Sequence, residues 1–359
     1  MIEHSQYIIS LIVGDKDIPN RGQIKLARPE EVRFAQEKGV FDGIGKINSF
    51  YVLHDVKAGG FKLNNVTHIY FINVSDRFNQ KVIDGLLEYG IDKVECGHGM
   101  FLALAKGAEL KLRADVSDEH LEQYFLWQQD EAEYEGHDLS QIMGIVDDVL
   151  VFSINEDSPL NGANEIDVAY FLYCQIESSI RLPITSIRQR FFDLLLPTSL
   201  APKENIFLSY TSVHWKHAFL ELYRCVEGLY SFPRAVALKG SLDLKLPAFK
   251  VAEACYNDLG WRRKEEDSLT KLFSLLPPQS TELAEVLSIG GNTVDENTDL
   301  ATKAAEKIYR IRNHLVHQID SVSFGKLKDS EWLLLINFLL FVIEALYKHY
   351  RDDLPEAIN

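Results

Sequence analysis

The sequence predicts an α+β chain in two parts, a mixed α/β domain followed by an all-α helical bundle. Short runs rich in β-branched and aromatic residues fall before residue 155 and nearly vanish after Pro202. Apolar residues spaced three and four apart dominate the remainder. Charge divides at the same place: from Ala201 onward 19 Lys and Arg face 22 Asp and Glu, a net of −3, while the first 200 residues hold 18 against 31, a net of −13. We place a mixed α/β domain at 1–160, a helical connector and linker at 161–202, and the bundle at 203–359.

Taken in order, Tyr7 to Val13, Ser49 to Leu53, His68 to Val74 and Val149 to Ile154 read as strands, each bounded by Gly, Asp or Asn. Asp76 to Tyr89 reads as a helix, with Val82, Leu86 and Leu87 on one face and Gly90 as its stop. Ser117-Asp118-Glu119-His120 opens a second helix that continues through Leu121, Tyr124, Phe125 and Trp127 to the acidic tract of 130–135. Asp167 to Leu196 is helical with a break at Pro183, and Pro197 and Pro202 mark the linker. In the bundle, Ile206 to Tyr230 reads as one long amphipathic stretch, followed by helices at Ala248 to Leu259, near Leu269 to Leu276, Asp299 to about Gln318 and Asp329 to Tyr350. Four or five helices with short connections make a bundle.

Composition excludes several classes. The most apolar segment, Trp332 to Tyr347, is too short to span a bilayer, contains Glu344 and reads as a buried helix. The N-terminus, Met1-Ile2-Glu3-His4-Ser5, lacks the basic flank and apolar core of a secretion signal, so a cytoplasmic location is expected. Cys96, Cys174, Cys225 and Cys255 are scattered and form no C-x-x-C pair, which argues for reduced core residues rather than a zinc knuckle or a disulfide framework. An overall charge of −16 opposes a general nucleic-acid coat, so any RNA contact is expected to be local and short. Gly43-Ile44-Gly45-Lys46 lacks the glycine spacing and the following Ser or Thr of a phosphate-binding loop, and Gly97-His98-Gly99 reads as a turn.

The most informative run is Tyr309-Arg310-Ile311-Arg312-Asn313-His314-Leu315-Val316-His317. A helical wheel puts Ala304, Ile308, Ile311, Leu315 and Ile319 on one stripe, the core face. Asn313 and His317 share the opposite side with Arg310 and His314, while Arg312 lies at the border. Arginine stays charged at any useful pH and histidine titrates near neutrality, so the pair offers a phosphate clamp and a proton shuttle. Arg312 and His317 nevertheless sit about 140° apart on an ideal wheel, so convergence needs a long reach, a distorted helix or a symmetric partner.

Arg312-Asn313, three residues and then His317 resemble the Arg-x(4–6)-His signature of the HEPN nucleases, in the variant with Asn after Arg. That family is a helical bundle with its signature on the penultimate long helix, as expected here. "LYRCVEGLY" followed by "YRIRNHLVHQ" is most similar to the Apea-like branch. The resemblance covers roughly the last 150 residues and leaves the first 200 unexplained. It implies metal-independent RNA cleavage through the 2′-hydroxyl, leaving a 2′,3′-cyclic phosphate. In that chemistry His317 is general base or acid, Arg312 holds the scissile phosphate, and Asn313 orients His317 or a phosphate oxygen. It also implies a homodimer through the bundle, no cofactor, no metal, and an antiviral or toxin-like role in which the first domain senses a phage protein or small ligand, or restrains cleavage.

Glu227, His314 and Arg310 are candidates for supporting that site. Glu227 reads either as a buried carboxylate reaching Arg312 and His317 or as a surface-edge residue. Arg262, Arg263 and Lys264, beside Trp261, are the densest basic cluster and candidates for RNA backbone contacts, although Glu265-Glu266-Asp267 follows and a solvated loop fits equally. His214 and Lys216, with His217 and Trp215, could line an RNA path, or simply begin an amphipathic helix. Two further readings stand beside the nuclease: a non-catalytic RNA-binding or dimerisation module, and an N-terminal domain that is itself the enzyme. The second has neither a glycine-rich loop nor an acidic metal cluster to support it.

Overall fold

A five-stranded antiparallel sheet organises the first half of the chain, and among the described residues the regular elements of the second half are all helices. The structure, a computed structural model, describes residues 1–14, 24–122, 134–176, 180–259, 265–290, 299–317 and 327–355. The chain divides into two compact units, Met1–Ala169 and Tyr170–Asn359.

In the first unit, α1 (Ile2–Val13) and α2 (Glu31–Gly43) precede β1 (Asn48–Leu53), β2 (Val56–Leu63) and β3 (Val66–Ile72). Next come α3 (Gln80–Leu87), β4 (Ile91–Val94), α4 (His98–Gly107), the short α5 (Asp118–Leu121) and α6 (Leu139–Met143), β5 (Val149–Ile154), and α7 (Glu165–Gln175), which straddles the boundary. The strand order is β1-β2-β3-β5-β4 and each neighbouring pair is antiparallel. β3 and β5 are central, and most of their residues are buried. One cluster against the sheet joins Ile8 and Ile12 of α1, Phe101 and Leu104 of α4, and Phe61, Tyr70 and Val151. Phe71, Phe78 and Phe152 form a separate ring cluster, with centroids 5.1–6.4 Å apart.

The run Tyr7 to Val13 is helical rather than extended. Ile8 and Ile12 recur four apart and are buried with Val13 as the inner face of α1, while the Tyr7 hydroxyl donates to the Leu110 carbonyl at 2.9 Å. A short apolar run does not by periodicity alone distinguish helix from strand, and here the packing of α1 on α4 decides. β2 escapes sequence reading because Gly59-Gly60 interrupts it. A Cβ at Gly59 would lie 2.0 Å from the Asn48 carbonyl oxygen and 2.4 Å from the Tyr70 hydroxyl, so the glycine marks a close approach inside a strand. Asn64 and Asn65, both at positive φ (52° and 68°), make the two-residue turn from β2 to β3. Gly97-His98-Gly99 opens α4 rather than forming a turn. Gly45 donates its amide to the Lys62 carbonyl at 2.9 Å, a backbone pairing in place of a phosphate loop. α3 begins at Gln80 rather than Asp76 and is capped by Asn79, whose side chain accepts from the Val82 amide. Ser117 caps α5 as expected, and residues 123–133 of that expected helix lie outside the described residues.

The second unit holds α8 (Arg188–Leu195), α9 (Lys203–Thr211), α10 (Trp215–Glu227), α11 (Phe232–Ser241), α12 (Ala248–Leu259), α13 (Glu265–Phe273), α14 (Thr281–Ser288), α15 (Leu300–His317) and α16 (Asp329–His349). Among the described residues no strand follows β5, and eight helices follow Pro202 where four or five were expected. The stretch Ile206 to Tyr230 breaks into α9 and α10. At the break the Thr211 and Ser212 hydroxyls bond back to the Phe207 and Leu208 carbonyls, a competition with the helix ladder that favours termination. α8, inside the expected connector, packs on α9 and α16; Lys203 caps its end by donating to the carbonyls of Leu194, Leu196 and Ser199 at 2.6–2.7 Å.

α16 is the central helix of the unit, packed on α8, α10 and α14. Leu335, Phe338, Leu339, Val342 and Ile343 along it are fully buried. At 21 residues it is longer than the run Trp332 to Tyr347 suggested, and among the described residues it alone is long and apolar enough to cross a membrane by length and composition; over half of its most apolar stretch is buried inside the protein. Tyr347 donates to the Cys225 carbonyl at 3.0 Å, and the Trp215 indole donates to Asp329 at 2.9 Å, so the two ends of α10 are both tied to α16. Cys174 and Cys225 are buried, Cys96 and Cys255 partly so, and all four are free thiols.

Candidate functional site: the Arg312 cluster at the end of α15

Asp299 immediately precedes α15, and its carboxylate accepts from the Ala301 amide at 3.2 Å and from the Thr302 hydroxyl. Ala304, Ala305, Ile308 and Ile311 form its buried face, packed against α13 and α14. Lys307 is also buried, 6% exposed, and its ammonium donates to the Leu287 and Ile289 carbonyls at 3.1 and 2.5 Å, closing the end of α14. Burial holds its pKa below the ordinary lysine value. Beyond Ile311 the helix leaves the core: residues 312–315 are half-buried, and Val316 and His317 are exposed. Leu315 is therefore a margin residue, and Ile319 lies outside the described residues.

Arg312, at that margin, is 17% exposed and enclosed by polar partners. Its guanidinium donates to Glu227 Oε1 at 2.9 Å from the last residue of α10 and to Asn313 Oδ1 at 2.9 Å, and lies 3.4 Å from Glu265 Oε2 at the start of α13. The Tyr223 ring, one turn before Glu227, sits 5.8 Å from the guanidinium carbon, within cation–π range. Tyr223 and Tyr230 share a hydrogen bond between their hydroxyls, and burial pushes both phenols above the ordinary tyrosine value. Burial works against the Arg312 charge, yet Glu227 and then Glu265 outweigh it and hold the guanidinium above its ordinary value.

The structure therefore brings Arg312, Asn313 and Glu227 together, and adds Glu265, Tyr223 and Tyr230. Tyr223 and Glu227, four apart in "LYRCVEGLY", share a helix face, which was visible in the sequence; Glu265 comes from a different helix and had no such signal. His317 stands apart. It is the exposed final residue of α15, and among the described residues no hydrogen bond or ion pair joins it to Arg312. Arg310 is exposed, donating weakly to its own turn at Glu306, and His314 is half-buried. His214 and Lys216 lie at the opposite end of α10 from Glu227, roughly 17–20 Å along the axis at 1.5 Å per residue, so they do not share the Arg312 cluster. The His214 ring packs edge-on against His217. Arg262, Arg263 and Lys264 lie outside the described residues. Among the described residues no group of three or more His, Cys, Asp or Glu gathers in a way that could hold a metal ion.

Chemically, an exposed imidazole can exchange protons with bulk solvent and with a bound substrate. A guanidinium flanked by two carboxylates can take a phosphate only by exchanging one anion for another, so Arg312 presents a compensated cation rather than an open one. No family model, curated protein or solved structure matches this chain.

Proposed function

We propose that the helical unit is a metal-independent endoribonuclease of HEPN type, acting in the cytoplasm as a homodimer in an antiviral or toxin-like role, and that the first unit senses a trigger or restrains cleavage. The observation that carries the reading is the Arg312-Asn313-x3-His317 string at the last turn of α15, where the helix passes from the core to the surface. Arg312 holds the scissile phosphate, and His317 transfers the proton between the 2′-hydroxyl and the leaving oxygen across a two-fold axis. The Glu227 and Glu265 contacts make the unliganded site a closed one, consistent with a nuclease that stays idle until triggered.

The test is incubation of the purified chain with total cellular RNA in EDTA. The expected products are fragments ending in 2′,3′-cyclic phosphate from wild type and none from His317→Ala or Arg312→Ala. Cleavage retained in both variants, with the same ends, overturns the reading. A second reading, a bundle that binds RNA or dimerises without turnover, is favoured by the enclosure of Arg312; it requires RNA binding or a dimer in solution with no cleavage even under a phage challenge.

A further inference from the structure

A sizeable cavity in the first unit lies far in sequence from α15. It has a volume of about 610 Å³, opens to solvent on one side, and is lined by α1, the segment Lys25–Glu30, the first two turns of α2 and α4, and the start of α6. That volume falls within the range of small-molecule pockets. Its apolar surface comes from Ile2, Ile9, Leu26, Phe34, Leu102 and Leu139. Ile2 and Phe34 are 77% and 41% exposed, so the apolar lining reaches open solvent.

The polar lining is asymmetric once internal partners are assigned. Arg33 Nε donates to Glu37 Oε1 at 2.8 Å, and the His98 ring lies 3.1 Å from the same oxygen, so the Glu37 carboxylate is compensated. Gly99 makes this possible: a Cβ there would lie 2.1 Å from the Glu37 carbonyl oxygen, so only glycine lets α4 cross α2 closely enough to set His98 beside Glu37. Asp138 accepts from the Ser140 amide and hydroxyl, both at 2.8 Å. Glu30 immediately precedes α2, where the positive helix end offsets its charge. On the other side, among the described residues Arg28 makes no hydrogen bond or ion pair, and Lys25 lies 5.9 Å from the Tyr134 ring with no ion pair to an acidic side chain. Among the described residues the cavity thus offers an apolar floor and, on one segment of its rim, two cations with no ion pair to an acidic side chain.

We propose that this cavity binds a soluble amphipathic anion, a medium-chain apolar body with a carboxylate or phosphate head, the tail over Leu26, Leu102 and Leu139 and the head at Arg28 and Lys25. As the trigger that the first unit senses, the ligand rests on the nuclease reading; as a binding site it does not. Titration calorimetry of the full chain without RNA separates the two, because it reads heat and not cleavage. The probes are decanoate, decyl phosphate and decanol. Saturable binding of one or both anions is expected, the preferred head distinguishing carboxylate from phosphate. Arg28→Glu is expected to weaken that binding about tenfold or more, and Ser5→Trp, which fills the cavity from α1, to abolish it, with circular dichroism checking that each variant is folded. No saturable heat with either anion, equal binding of decanol, or an Arg28→Glu variant that binds like wild type overturns the proposal; if Ser5→Trp fails to fold, Arg28→Glu decides alone.

Discussion

Arg312 combines two demands that a buried cation usually keeps separate, compensation and availability. Its guanidinium is compensated by Glu227 and Glu265, so truncating it leaves two carboxylates facing each other without a counter-charge. Arg312→Ala is therefore expected to lower stability by about 1–3 kcal/mol, measured by urea unfolding, besides abolishing the proposed cleavage. His317 is exposed and among the described residues makes no hydrogen bond or ion pair, so His317→Ala should change stability by less than about 0.5 kcal/mol while removing the same activity. That contrast separates the two residues in a single pair of variants. Glu227→Gln tests the closed site from the other side. It keeps the shape of the side chain but removes the charge competing with phosphate, so RNA affinity, read by fluorescence anisotropy, is expected to rise; unchanged or weaker affinity would place Arg312 in a purely structural role.

Among the elements, α16 and the end of the chain give the clearest expectations. Phe338 is fully buried, with its ring 5.5 Å from Phe273, so Phe338→Ala should cost about 3–5 kcal/mol. Beyond α16, Asp353 accepts from the Lys239 ammonium at 2.7 Å and the Ala248 amide at 3.0 Å, joining the chain end to α11 and the start of α12. Burial opposes its charge, but these two partners outweigh it and hold the carboxyl below its ordinary value of 3.8. A depressed carboxyl stabilises the fold fully above that ordinary value and loses the contribution as pH falls through the native one. The melting-temperature gap between wild type and Asp353→Asn should accordingly be constant near neutrality and close below pH 3.8.

Elements that carry a strict period were legible in advance: α12, α15 and α16 begin within a residue of the expected Ala248, Asp299 and Asp329, and α16 ends within a residue of Tyr350. β2 and α1 were not, because their identity depends on what lies across from them, Tyr70 over Gly59 and α4 against Ile8 and Ile12. The same distinction runs through the candidate site. Glu227 was visible as an acid in an apolar face, whereas Glu265 reaches Arg312 only because α13 packs on α15.

For the whole molecule, the division of charge sets how any RNA is held. With acid concentrated in the first 200 residues and Arg312 already compensated, few phosphates can be neutralised at once. Two phosphate contacts to a single strand give a slope of log affinity against log salt near −1.4, far shallower than that of a basic nucleic-acid coat, and a salt titration measures it. If the site is shared across a two-fold axis, as proposed, an equal mixture of Arg312→Ala and His317→Ala chains regains part of the cleavage that each has lost. No recovery from a mixture shown to exchange protomers would mean that each chain works alone or not at all.

The buried cysteines have a practical consequence for following such events. Cys174 and Cys225 are wholly enclosed in the helical unit, and burial pushes both thiols up, Cys225 to about 12 and Cys174 well above its ordinary value, while Cys96, in the sheet unit, is raised to about 12. The two enclosed thiols, Cys174 and Cys225, are poor nucleophiles and react only when the structure around them opens, whereas Cys96 is partly exposed. The helical unit therefore carries its own internal clock: the rate at which an alkylating reagent reaches Cys174 and Cys225 times the opening of that unit, with no cysteine engineered in.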